Sequence, residues 1–342
     1  LRPLGYEPNE LPTALPRDLD GKYTSIIHIH QLFFWRKSRC ISYIWYVKDI
    51  KHHSGFVTII GNPNVGKSTL MNALMGLDLS IITHKAQTTR HRILGIVNGE
   101  DYQIVLSDTP GIIKPAYEMQ NSMMNFVKEA LDDADILIYM ISIGETIIKD
   151  ESLFKKIQNS KVPLVVLINK IDTSNQDEVE SSLKHWEELI PKASIYSISA
   201  LTGFFIPELL NILKGLLPEG PEYFPKDQIT DKPERFFVNE AIRSQILEHY
   251  TKEIPYSVEV ETEEFFEDEK IIRIRSVILV ERESQKGILI GHKGKKLKTV
   301  GTGARKALQA FFGKKIHLET YVKVSKNWRS NTQQLKRFGY QN

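Results

Sequence analysis

A chain of 342 residues is long enough for two ordinary domains, and 41% apolar with 25% charged content describes a globular protein. The single cysteine, Cys40, excludes an internal disulfide framework and a cysteine zinc cluster and fits a reducing compartment; no apolar run reaches the roughly 18 residues of a membrane-spanning helix. The net charge of +3 hides an uneven distribution: residues 285–342 hold 14 Lys and Arg against one acid, Glu319, so this tail carries +13 and the rest of the chain −10. A basic tail on an acidic body suggests a polyanion partner, nucleic acid or an anionic membrane surface, although a solvated lysine-rich face gives the same count.

In chain order, residues 1–54 come first, an extension with prolines and clustered aromatics (Phe33, Phe34, Trp35, Tyr43, Trp45, Tyr46) and no helical or strand period. Charges interrupt its apolar runs, so no clean cleavable signal stands out, and it receives no function. From Gly55 the rhythm is strand, helix, strand. Phe56–Ile60 is an apolar, β-branched run, and further strands are expected at 93–97, 102–107, 136–143, 163–168 and 194–198. Helical patterns fall at 68–75, 120–131, 151–158, 178–189 and 207–216. Buried strands alternating with amphipathic helices predict a mostly parallel sheet covered on both faces. Four prolines between Pro218 and Pro233 then read as a linker over 220–235. Beyond it the order becomes helix (236–250), two strands (256–266 and 270–281), a glycine-flanked segment, a helix to about 312 and a strand at 317–324, an α+β pattern over 236–342.

Gly61-Asn62-Pro63-Asn64-Val65-Gly66-Lys67-Ser68, with Thr69 behind it, fits the G-x-x-x-x-G-K-[ST] pattern and lies between a predicted strand and a predicted helix. That context turns the pattern into a phosphate loop. The glycines let backbone N–H groups wrap phosphates, the helix N-terminus adds partial positive charge, Lys67 reaches the β- and γ-phosphates and Ser68 ligates Mg²⁺. Asp108-Thr109-Pro110-Gly111 ends the third strand, where Asp108 would hold Mg²⁺ through water and the Gly111 N–H would sense the γ-phosphate. Asn169-Lys170-Ile171-Asp172 ends another strand. A carboxylate at Asp172 accepts from N1–H and N2–H₂ of guanine, and adenine offers neither donor there, so the expected nucleotides are GTP and GDP. Ser199-Ala200 follows the last strand, where its backbone could meet guanine O6. Gln87-Thr88-Thr89-Arg90 lies between these motifs, and Thr88 is taken by a small margin over Thr89 as the switch threonine that completes the Mg²⁺ shell.

The residue after Gly111 is Ile112, which cannot orient an attacking water as the glutamine of a Ras-like enzyme does. Asn64, three residues before Lys67, has an oxygen at the phosphate cradle and is the candidate holder of a K⁺ ion that would neutralise transition-state charge. Lys67, Asn64, Thr88 and Gly111 are thus the expected catalytic groups. A protein that binds nucleotide and scarcely turns it over is the rival that Ile112 raises.

GNPNVGKSTL (61–70), KAQTTRHRI (85–93), DTPG, NKID and SA, in this order, resemble the bacterial Era GTPases. PEYFPKDQITDKPERFFVNEAIR, EIPYSVEVE, LVERESQKGILIGHKGKKLK and the closing LKRFGY extend the resemblance over about 55–342. It implies a P-loop NTPase of Ras-like G-domain type over 55–219, then an α+β type II KH domain over 236–342. In such a domain Ile290-Gly291-His292-Lys293-Gly294 would clamp about four nucleotides of single-stranded RNA, with Lys293, Lys295, Lys296 and Lys298 supplying charge. Era-like behaviour further implies binding to the 3′ end of small-subunit ribosomal RNA, assistance to 30S assembly, a monomer and a cytoplasmic location. A peripheral attachment to the inner membrane is the alternative use of the basic tail; a Gly291→Asp lesion would abolish RNA binding and spare lipid. Phe311, Phe312, Tyr321 and Trp328 could stack bases, although core packing suits most of them better.

Overall fold

The computed structural model describes residues 51–341 apart from 84, 86 and 147–149. The aromatic cluster of the extension and Cys40 lie outside the described residues. Eleven elements build the first layer system: β1 (His53–Gly61), α1 (Lys67–Met75), β2 (Ile93–Asn98), β3 (Tyr102–Asp108), α2 (Glu118–Asp132), β4 (Ile136–Ser142), α3 (Glu151–Gln158), β5 (Leu164–Asn169), α4 (Gln176–Leu189), β6 (Ser194–Ser197) and α5 (Ile206–Leu216). The sheet order is β2-β3-β1-β4-β5-β6. Every pair is parallel except β2 with β3. β1 opens at His53, two residues inside the segment read from sequence as an extension.

Alternation along the strands divides the core. Ile136, Ile138 and Met140 of β4 face α1 and α5, packing with Leu70, Met71, Leu209 and Leu213. Leu137, Tyr139 and Ile141 face the other way, against Met123, Phe154 and Trp186 of α2, α3 and α4. Both faces of β4 are therefore dry, which is why its sequence reads as one apolar run. Truncating Ile138, which has no exposed surface, to alanine should cost about 2–5 kcal/mol. Helix starts are locally specified as well: Asp150 Oδ1 accepts from Ser152 N at 3.0 Å and Leu153 N at 3.1 Å to open α3.

The second system runs α6 (Glu234–His249), α7 (Ile254–Ser257), β7 (Glu259–Glu267), β8 (Ile271–Val280), α8 (Glu283–Ile290), α9 (Lys295–Phe312), β9 (Lys315–Val324) and α10 (Thr332–Arg337). β7 pairs antiparallel and β9 parallel with β8. The sequence placed a strand from Tyr256, but 254–257 form the short helix α7, because Pro255 suits the first turn of a helix and its missing N–H is not needed there. The α10 turn was not anticipated. Leu335 on it, with Trp328 before it and Tyr340 after it, joins the same core cluster as α2 and α4 of the first sheet.

The proline-rich segment is strapped to the first sheet. Ile96 N donates to Ile229 O at 2.9 Å, Leu94 N to Asp231 Oδ1 at 2.9 Å and Gln103 Nε2 to Phe224 O at 2.7 Å. β2 is the edge strand, and these contacts occupy backbone groups that would otherwise invite another chain.

Candidate nucleotide site and nucleic-acid interface

A cleft of about 490 Å³ opens at the carboxyl ends of β1, β3 and β5, where ligands of open α/β sheets bind. Pro63, Asn64, Gly66, Lys67, Ser68, Thr69, Thr88, Thr89, Gly111, Asn169, Lys170 and Asp172 line it. Val65, Thr109 and Pro110 are buried away from it; the Thr109 hydroxyl donates to Ile59 O at 2.8 Å and pins the turn after β3 to β1.

The loop from Gly61 to Gly66 takes its shape from its neighbours. Gly66 has φ +103°, and a Cβ there would come within 2.3 Å of Asn169 Nδ2, so only glycine fits. Asn169 needs that closeness: its Nδ2 donates to Val65 O at 2.7 Å while its Oδ1 accepts from Ala200 N at 2.9 Å. One buried amide thus ties the phosphate loop to the loop after β6. Ser199 Oγ donates to Asp172 Oδ1 at 2.5 Å, orienting the carboxylate that would choose the base. On the other flank Asn62 donates to Glu145, whose second oxygen accepts from Ser142 N at 3.1 Å. The Ile112 N–H donates to Gly61 O at 3.1 Å, and the Ile112 side chain is buried with Met119 and Met123 rather than in the cleft.

Lys67 is buried, and its ammonium donates to Gly61 O at 3.1 Å and Asn62 O at 3.0 Å. Burial lowers its pKa to about 8, opposed by the negative charges of Asp108 and Glu145. Asp108 is also fully buried. Desolvation raises its carboxyl above the usual range, with the Ser68 hydroxyl and Lys67 pulling it back. Ser68 Oγ donates to Asp108 Oδ2 at 2.7 Å and lies 2.9 Å from Thr89 Oγ1. Among the described residues Asp108 Oδ1 is buried with no hydrogen-bond partner. Two hydroxyls and a carboxylate with an unused buried oxygen form the hard-oxygen donor set that suits Mg²⁺.

Here the structure departs from the expected switch residue. Thr89, not Thr88, joins Ser68 and Asp108. Thr88 Oγ1 donates to Lys85 O at 2.7 Å and meets Thr83 Oγ1 at 2.7 Å, closing a local turn. Both threonines line the cleft, but the Thr88 hydroxyl is taken up by Lys85 O and Thr83, which leaves Thr89 to meet Ser68, and the sequence carries no signal for that division. Sequence reasoning also missed Glu145 and the tethering role of Asn169.

Around 290–298 the picture is different. Gly291 (φ +68°) and Gly294 (φ +74°) flank a single turn, His292–Gly294, between α8 and α9. A Cβ on Gly291 would meet Lys296 Cγ at 2.8 Å. His292, Lys293, Lys295, Lys296 and Lys298 are exposed, while Ile290 and Gly294 are half-buried. Lys295 and Lys298 line a groove of about 560 Å³ with His249 and Lys306. Of the aromatics suspected of stacking bases, Trp328 is buried and donates to Ser257 O at 3.0 Å, and Phe312 packs in the core. Phe311 stacks on Phe237 with 41% of its surface exposed.

A parallel sheet with a strand–loop–helix phosphate cradle and a guanine-type carboxylate, followed by an α-β-β-α-α-β module with a glycine-bracketed turn, defines a P-loop GTPase carrying a KH domain. A family model described as a 50S ribosome-binding GTPase matches residues 56–170, and one for the KH domain matches 253–329. The chain is 41% identical over 292 residues to GTPase Era of Staphylococcus epidermidis, covering 85% of this chain and 98% of that protein. GTPase Era of Staphylococcus haemolyticus matches with the same identity and coverage. Among solved structures, Era in complex with MgGDPNP and nucleotides 1506–1542 of 16S ribosomal RNA superposes with a TM-score of 0.81 at 37% identity, over 85% of this chain and all of that one. A single-residue variant of Aquifex aeolicus Era bound to GDP·AlF4⁻ gives the same values. The chain belongs to the Era GTPase family. Among the described residues no helix is long and apolar enough to cross a membrane.

Proposed function

We propose that this GTPase holds GTP in the cleft above β1, β3 and β5 and couples its hydrolysis to RNA held at the turn 291–294. The observation that carries the reading is the convergence of Ser68, Thr89 and the unused Asp108 oxygen beside the Lys67 ammonium. Ser68, Thr89 and, through water, Asp108 are the groups that would hold Mg²⁺, which when bound offsets charge on the β- and γ-phosphate oxygens. Lys67 donates to those oxygens, and the N–H groups of residues 64–69 orient the phosphate chain. Asp172, oriented by Ser199, accepts from guanine, and the Ala200 region meets its O6. Gly111 marks the backbone N–H that senses the γ-phosphate. Ile112 points into the core, so water is oriented by backbone and by the charge around Asn64, where K⁺ is the proposed helper.

The RNA is read as single-stranded sequence at the 3′ end of small-subunit ribosomal RNA. Support comes from the Era relative matched over 85% of this chain, whose structure contains nucleotides 1506–1542 of 16S ribosomal RNA; the 50S description applies to a model that covers residues 56–170 alone. Assistance to 30S assembly by a cytoplasmic monomer is the role proposed with it. The test is phosphate release from GTP and ATP, in K⁺ and in Na⁺, with and without a 16S 3′-end oligonucleotide. Guanine-selective turnover that rises with RNA and K⁺ supports the reading. Equal use of both nucleotides, or guanine selectivity untouched by Asp172→Asn, overturns it.

A further inference from the structure

The segment that brings Thr89 to the metal site is held by the other module as well as by its own turn. Lys85 Nζ donates to Leu247 O and Tyr250 O at the end of α6. Arg243 of α6 donates to Thr88 O and, at 3.4 Å, to Gln87 O, while Glu240 one turn earlier on the helix pairs with its guanidinium. Arg90 points the same way. It is 1% exposed and donates to Val258 O at 2.7 Å and Pro255 O at 2.9 Å, with Glu259 Oε2 at 3.4 Å. Glu259 is held in turn by the Tyr340 hydroxyl at 2.7 Å. Within 85–90, then, the side chains of Lys85 and Arg90 and the carbonyls of Gln87 and Thr88 bond to residues between 243 and 259, while the Thr89 side chain turns inward to Ser68 and Asp108.

We infer that Arg243 and Arg90 are positioning residues for GTP hydrolysis: Arg243 grips the backbone before Thr89 from the KH side, Arg90 anchors the residue after it into the KH module, and together they set where the Thr89 hydroxyl meets the metal site. The inference deepens the proposed function and rests on Thr89 being a metal-site group. Its physical basis is that a short irregular segment with few apolar contacts does not order itself. Two buried guanidiniums, each bonded to backbone carbonyls, supply the order in place of a regular element, and they are costly to leave half-paired. The positioning comes from residues more than 150 positions away in sequence and depends on how the two modules are seated.

The experiment is a double-mutant cycle in the full-length chain. Arg243→Gln is combined with Glu240→Gln, so that no buried carboxylate is stranded, and examined alone and on a Thr89→Ala background. Readouts are kcat at saturating GTP, KM, the Mg²⁺ concentration for half-maximal rate, and Tm. The expected result is a fall in kcat of about fivefold or more with a rise in the Mg²⁺ requirement of about threefold, shrinking to within about twofold once Thr89 is alanine. Lys85→Met, outside the buried cluster, should shift the same readouts in the same direction by less, and it stands in if the paired substitution does not fold. A lowered Tm with kcat and Mg²⁺ requirement unchanged, or effects that multiply fully on the Thr89→Ala background, overturns the inference while leaving the metal site intact. Thr89→Ala with no effect on either kinetic readout removes the metal-site assignment and the inference together.

Discussion

The nucleotide cleft and the glycine turn at 291–294 serve charged ligands by opposite physical means. In the cleft, Lys67, Asp108, Thr89 and Asn169 are buried and bonded to one another or to backbone before any ligand arrives. At the turn, Lys293, Lys295, Lys296 and Lys298 stand in water, and among the described residues none of them pairs with a carboxylate. A buried, preorganised donor acts in a low dielectric and loses little to salt; an exposed lysine acts through a field that ions screen. The first arrangement suits selection of one nucleotide, and the second suits attraction of a charged strand.

The comparison can be broken most decisively at Lys67. Lys67→Ala should lower GTP turnover by about 10²–10³-fold, as removal of a preorganised donor does, and phosphate release measures it. A loss under fivefold would mean the cleft is not preorganised in this sense. Next is Asn169→Ala, which strands Val65 O and Ala200 N. At about 1–3 kcal/mol per unpaired buried group, GTP affinity should fall at least about tenfold and Tm should drop, by calorimetry and by titration with a fluorescent guanine nucleotide.

Gly291→Asp puts a side chain where φ is +68° and an acid beside the lysines. Binding of a single-stranded oligonucleotide should fall more than about tenfold, with GTP affinity unchanged; equal losses in both would show that the two regions are not separable. The pH dependence sharpens the contrast. Burial lowers the pKa of Lys67 to about 8. Bound triphosphate would keep it protonated, so binding takes up a proton above pH 8 and GTP affinity should weaken as pH rises through that value, by up to about tenfold per unit. Below pH 8 Lys67 should contribute no pH dependence, and isothermal titration in buffers of different ionisation enthalpy tests the proton uptake. The smallest effect is expected at Lys298→Ala: RNA affinity should weaken a few-fold, and the slope of log K against log salt should shallow by about 0.7, the share of one phosphate contact on a single strand.

Much of this molecule was legible because its signals are local. The run Phe56–Ile60 followed by the glycine-bracketed loop and Lys67 can only be a strand, a phosphate cradle and a helix, since each step is set by neighbouring residues. The same holds for the strand that ends in Asp108, the strand that ends in Asn169 and the turn at 291–294. What the sequence left open depended on residues far apart in the chain. The choice of Thr89 over its neighbour rests on Thr83 and Lys85 closing a turn around Thr88 and on Arg243 gripping the backbone from α6. The proline-rich segment reads as a spacer by composition, yet it is strapped to β2 by contacts with Ile96 and Leu94 and to β3 by Gln103. The closing residues read as part of a basic tail, yet Trp328, Leu335 and Tyr340 complete a core begun by α2 and α4. By itself, then, the order of residues determined the elements, the motifs at their ends and the nucleotide class, because propensity, periodicity and ligand chemistry act over a few positions. Only the tertiary structure decided which hydroxyl meets Ser68 and Asp108 and what holds it there, because that depends on buried contacts between segments no local rule can pair.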